Sequence, residues 1–81
     1  MIILSKRLKH LRAKRNVTQR QVAQNCLISL RALKYYEAGE RIPNAEIIVK
    51  FCKYFNVTAD YLLGLSDIIT KESDLELELD L

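Results

Sequence analysis

Apolar residues recur along this chain with a helical period. Leu4, Leu8 and Leu11 stand at i, i+4 and i+7, with Lys6, Arg7, Lys9, Lys14 and Arg15 outside their stripe. That spacing predicts a first helix from about Leu4 to Arg15, broken by the "NV" at 16–17. Thr18 then reads as an N-cap, because its hydroxyl oxygen can accept an otherwise orphaned backbone N–H. Gln21, three residues on, completes a capping box. Val22, Ala23 and Cys26 form the inner side of this second helix, and Ser29 caps a third that runs to about Glu37. In "AGERIPN", Gly39 suits a left-handed helix end and Pro43 blocks continuation. Asn44 caps a fourth helix, whose Ile47, Ile48, Phe51, Cys52 and Phe55 supply most of the expected core. Thr58 caps a short fifth, "ADYLL", ended by Gly64. The pattern predicts an all-α domain of five helices over residues 1–65, with no hairpin signal.

Beyond residue 65 the period changes. In "DLELELDL", Leu75, Leu77, Leu79 and Leu81 alternate with Glu76, Glu78 and Asp80. An extended chain would place leucines on one face and acids on the other, whereas a helix would scatter the leucines. A single strand needs a partner for its backbone groups. Three forms are open for this tail, residues 66–81. It can pair with a symmetry-related copy and join a dimer, fray as a terminus, or lie over a basic face of the body.

Charge follows the same division. The net charge of +3 combines a basic body with an acidic tail. Residues 1–64 hold twelve Lys/Arg against Glu37, Glu40, Glu46 and Asp60, a balance of +8. Residues 65–81 hold Lys71 against six acids, a balance of −5. A basic body points to a polyanionic partner if its cations share a face.

Other classes fit poorly. No apolar run approaches the ~20 residues of a membrane span. "MIILSKRLKH" places its apolar residues before its charges, the reverse of a secretory signal, so a cytoplasmic protein is expected. Cys26 and Cys52 lack CxxC spacing and His10 is far from both, so no metal site is expected; both thiols read as reduced and buried. His10, Glu40, Glu46 and Asp60 form no recognisable acid–base or nucleophile set, and no Gly-rich phosphate loop is present, so neither an enzyme nor a cofactor is expected. Eighty-one residues bury only about 60% of the surface that the unfolded chain exposes, which leaves room for stabilisation by dimerisation.

Helix three carries the candidate chemistry. At about 100° per residue, Ala32, Leu33 and Tyr36 share an inward arc and Arg31, Lys34 and Tyr35 the opposite one. Leu30 lies at the boundary. Arginine can fork onto a guanine edge, lysine can reach phosphate or base, and a tyrosine can stack or donate. Two short helices joined by a tight turn are the arrangement in which the second enters the major groove and the first crosses the backbone. Thr18, Gln19 and the start of helix two would then face phosphate.

With these pieces in order, the chain resembles the Cro/repressor-type (Xre-like) helix-turn-helix domains of bacteria and their phages. The likeness spans residues 4 to about 65 and rests on "LR" at 11–12, "TQ" at 18–19, "YYEAGERIPN" at 35–44 and "NVTADYLLG" at 56–64. The resemblance implies five helices and a homodimer on palindromic double-stranded DNA, acting as a repressor or gene switch. It puts Leu30, Arg31, Lys34 and Tyr35 against bases, Thr18, Gln19 and Ser29 beside the DNA, and Arg41 and Asn44 on phosphate. It also implies a partly buried ion pair between Arg12 and Glu37, linking helices one and three. Two residues depart from the family pattern. Leu27 stands where the turn usually has glycine, so either Leu27 is strained or the chain takes another path that uses Asn25. Leu30 is apolar where the family is often polar, fit either for a thymine methyl or for sealing the core edge. An alternative role on the same fold is an antitoxin or protein-interaction module whose acidic tail contacts a partner.

Overall fold

The computed structural model describes residues 2–69. Five helices follow one another: α1 (Ile2–Arg15), α2 (Gln19–Asn25), α3 (Leu30–Ala38), α4 (Ala45–Phe55) and α5 (Ala59–Leu63). Among the described residues there is no strand. The leucine-rich segment 74–81, and with it the expected tail strand, lies outside them.

All four expected N-caps form. Thr18 Oγ1 accepts from Gln21 N at 3.1 Å while Gln21 Oε1 accepts from Thr18 N at 2.8 Å, closing the capping box. Ser29, Asn44 and Thr58 each accept from the backbone N–H three residues on, at 2.9–3.0 Å. Helix one starts two residues earlier than the leucine stripe implied. Ser5, though polar, is buried there and donates its hydroxyl to Ile2 O at 2.8 Å.

The helix ends share one device. Asn16, Leu27, Gly39, Asn56 and Gly64 all have φ between 54° and 86°. The next residue in each case donates its N–H to a carbonyl five positions back: Val17 to Arg12, Ile28 to Ala23, Glu40 to Tyr35, Val57 to Cys52 and Leu65 to Asp60. This closure satisfies carbonyls that a helix end leaves orphaned, and apolar residues just after it often pack inward. Val57 is in the core, and Val17 and Ile28 pack against it. Asparagine and glycine tolerate the left-handed conformation; Leu27 does not do so freely. The turn therefore runs through Leu27, not through Asn25, which stays helical and donates its side-chain amide to Gln21 O at 2.7 Å.

Leu27 is also 80% exposed, so its side chain gains little from the fold. Leu27→Gly should stabilise the domain by about 0.5–1 kcal/mol: relief of ~1–2 kcal/mol of strain outweighs the greater unfolded-state entropy of glycine. Urea denaturation checks this, and a lower midpoint for the glycine variant would exclude strain at Leu27.

The core draws on every helix. Leu4, Leu8, Leu11, Val22, Cys26, Leu33, Phe51, Phe55 and Leu62 are each at most 3% exposed. Ile47 and Ile48 pack only at its margin, so α4 contributes chiefly through Phe51, Cys52 and Phe55. Tyr36 meets Phe51 edge to face with centroids 6.2 Å apart, locking α3 against α4. Cys26 and Cys52 are buried as thiols. Burial pushes the Cys26 thiol up from its ordinary value, against a smaller opposing pull from Lys50.

Residues 64–69 return to the body. Arg7 is the clasp: its guanidinium lies 4.2 Å from the Tyr61 ring centroid and donates to Tyr61 O, to Ser66 O at 2.8 Å and to Asp67 Oδ1 at 2.9 Å. A Cβ at Gly64 would come within 3.1 Å of the Ile3 side chain, so both space and the φ of +86° require glycine there. Ile69 packs against the core. Periodicity marks Arg7 only as a residue outside the leucine stripe, with no hint of this role.

Candidate nucleic-acid interface

Helix α3 is held from one side and open on the other. Leu33 is fully buried and Glu37 is 4% exposed, whereas Arg31 and Lys34 are exposed and Tyr35 is half-buried. Ala32 and Tyr36, expected inside, are partly covered. Leu30 is half-buried and packs against the core edge.

The orientation of α3 rests on a charged junction beneath it. Arg12 of α1 meets Glu37 side-on, through Nε to Oε2 at 2.9 Å and Nη2 to Oε1 at 3.1 Å. Arg12 Nη1 also donates to Val17 O at 3.4 Å. Gln19, the first residue of α2, donates Nε2 to Glu37 Oε1 at 3.1 Å. One carboxylate thus ties three helices together, and the bidentate fork fixes their relative orientation as well as their spacing. Gln19 bonds inward to this junction; the family pattern marks it only as a residue beside DNA.

On the open side, three residues form a second unit. Arg31 directs Nε and Nη2 at the Tyr35 hydroxyl, at 3.4 and 3.3 Å, one helical turn along α3. The Arg41 guanidinium lies 4.3 Å from the centroid of the same ring. Arg41 reaches Tyr35 because the left-handed Gly39 turns the chain back, with Glu40 N donating to Tyr35 O at 3.0 Å. No sequence signal announces this stack; it follows from the helix end.

The caps keep donors in reserve. Thr18, Ser29 and Asn44 are exposed, and each spends a side-chain oxygen as acceptor within its own helix. The hydroxyl hydrogens of Thr18 and Ser29 and the amide hydrogens of Asn44 are still able to donate outward, the sense that a phosphate oxygen requires. Structure brings Arg31, Tyr35 and Arg41 into contact and Gln19 into the Glu37 junction. Lys34 stands by itself on the arc, and Leu30 belongs to the core margin. Among the described residues no three His, Cys, Asp or Glu side chains converge to hold a metal ion. No helix among them is long and apolar enough to cross a membrane.

Comparison with known proteins agrees with this architecture. The helix-turn-helix family HTH_3 matches residues 8–62. The HTH-type transcriptional regulator ImmR of Bacillus subtilis is 38% identical over 73 residues, which cover 89% of this chain and 58% of ImmR. The HTH-type transcriptional activator BcrR of Enterococcus faecalis is 36% identical, over 82% of this chain and 32% of BcrR. The cryptic phage CTXphi transcriptional repressor RstR of Vibrio cholerae is 38% identical, over 75% of this chain and 54% of RstR. The chain thus spans between about a third and three-fifths of the length of these relatives. A crystal structure of a transcriptional regulator from Listeria innocua shares the fold, with a TM-score of 0.72 and 24% identity over 94% of this chain and 71% of that one. Family match, helix order and the α2–α3 pair converge: the chain belongs to the Cro/repressor-type (Xre-like) helix-turn-helix family.

Proposed function

We propose that this chain is a sequence-specific double-stranded DNA-binding regulator, a repressor acting as a homodimer on a palindromic operator with α3 in the major groove. The observation that carries this reading is the outward arc of α3, where Arg31 and Lys34 stand exposed above a rigid junction. A guanidinium on a fixed helix can discriminate guanine by its O6/N7 edge, and an exposed lysine beside it can reach base or phosphate. Thr18, Ser29, Asn44 and Arg41 supply donors to phosphate, and Gln19 keeps the start of α2 beside the backbone. Repression needs only occupancy of a promoter site. Among relatives, RstR is named a repressor and BcrR an activator.

Dimerisation follows from the geometry of such sites, in which two recognition helices about 34 Å apart read half-sites one turn apart. The acidic tail, residues 66–81, is assigned to this contact. Its alternating leucines suit pairing with a symmetry-related copy, and Ile69 lies in a groove lined also by Leu11, Lys14, Arg15, Phe55 and Val57. The reading invokes no cofactor and no catalytic step, and it places the protein in the cytoplasm, where its DNA is.

Selection from a random duplex pool, followed by sedimentation of the complex, tests this reading. The expected result is a two-fold-symmetric consensus bound by two copies, with weaker binding and loss of the dimer when the chain is cut after Ile69. Tighter binding by an unchanged dimer would instead make the tail a mask over the basic face. A pool with no enrichment would leave the protein-interaction role, an antitoxin-like module, as the better account of the fold.

A further inference from the structure

We infer that Tyr35 is a positioning residue that couples base readout by Arg31 to backbone grip by Arg41; this rests on the DNA-binding reading above. The family pattern places Tyr35 itself against bases, but its hydroxyl oxygen and its ring already have partners within the protein. Its hydroxyl accepts from Arg31 and its ring face carries Arg41, 4.3 Å from the centroid. The phenol is also half-buried, whereas both arginines are exposed.

The chemistry of the contact sets what Arg31 can still do. Nε–H and the adjacent hydrogen of Nη2 form the side edge of a guanidinium, and both point at the Tyr35 oxygen. The outer edge, made of Nη1 and the second hydrogen of Nη2, is left for a bidentate fork onto guanine O6 and N7. A free arginine side chain samples many rotamers, and holding one before binding lowers the ordering cost at the interface. Arg41 gains in the same way. Its guanidinium stacks on the ring and is steered there by the Gly39 turn, so it meets the backbone from a defined position. One aromatic side chain therefore sets the spacing between a cation that reads sequence and a cation that does not.

The two roles separate by substitution. Tyr35→Phe removes the hydroxyl and keeps the ring; Tyr35→Leu removes both. Arg31→Ala, Arg41→Ala and the double variants complete the cycles. Each is titrated against the selected operator and its single-mismatch versions over a salt series. Tyr35→Phe is expected to lower discrimination about three- to tenfold at the base pair that Arg31→Ala relaxes, and the pair of changes should be no worse than Arg31→Ala alone. Its salt slope should match the wild type. Tyr35→Leu should in addition lose part of the ~0.9 unit of slope that one phosphate contact contributes.

A second readout needs no DNA. In the free protein, ring-current shifts on the Arg41 side-chain protons should be present in the wild type and in Tyr35→Phe and absent in Tyr35→Leu. Relaxation of a different base pair by Tyr35→Phe, or additivity with Arg31→Ala, would show that Tyr35 reads DNA directly and overturn the assignment. Absence of the ring-current shifts in the wild type would overturn it as well. Shifts present with no sequence preference in any variant would instead sink the DNA-binding reading, and the positioning role with it.

Discussion

Replacing Arg12 with methionine should lower the unfolding free energy by about 2–4 kcal/mol, between the ~1 kcal/mol of an exposed ion pair and the ~3–5 kcal/mol of a broken buried one. Methionine keeps most of the apolar stem, so the loss reports on charge rather than packing. The Glu37 side chain is 5% exposed and that of Arg12 26%. Removing Arg12 strips the carboxylate of two charge-assisted donors and leaves it only Gln19. A buried anion with its main partner gone costs far more than the net value of the pair. Removing Glu37 instead leaves an arginine that can turn toward water, so Glu37→Gln should cost less. A domain of this length has about 4–12 kcal/mol in total at ~0.05–0.15 kcal/mol per residue, so Arg12→Met brings it near its limit. Urea denaturation through the Arg12/Glu37 double-mutant cycle measures the coupling; a coupling near zero would show that the contact holds nothing.

The second large effect is on specificity. Arg31→Ala should weaken binding to the preferred site by about 1–3 kcal/mol and relax one base position, because a forked donor pair to one base edge is lost. Arg41→Ala should weaken every sequence alike and reduce the salt slope by about 0.9, the mark of one phosphate contact. Stability should barely move in either case, since both side chains are exposed. Titration of matched and mismatched sites separates the two. An Arg31→Ala protein that keeps full discrimination would mean that the outer arc of α3 does not read bases.

Local chemistry made much of this fold readable in advance. The four N-caps are short polar side chains placed ahead of apolar periods, and each bonds its helix within three residues. The 100° spacing predicted Leu33 inside and Arg31 and Lys34 outside, whereas Glu37, not Ala32 or Tyr36, completes the buried side of α3. Leu27 was legible as a problem only through the family resemblance, which puts it where the turn usually has glycine; the structure holds it at φ 56°. That two Asn-Val pairs would end α1 and α4 in the same left-handed closure was not legible, because the break at "NV" does not say whether the valine that follows packs inward.

The candidate site divides along the same line. Sequence by itself determined that Arg31 and Lys34 stand exposed on α3 and which residues cap α2 to α5, because both depend on contacts no more than four residues apart. Tertiary structure alone decided the rest: that Leu30 packs at the core margin, that Gln19 shares the Glu37 carboxylate with Arg12, that Arg7 clasps residues 66 and 67, and that Arg41 stacks on Tyr35. These pairings join segments that share no sequence period. Long side chains such as arginine reach whichever acceptor or ring the folded backbone presents, and only the packing of the helices sets that choice.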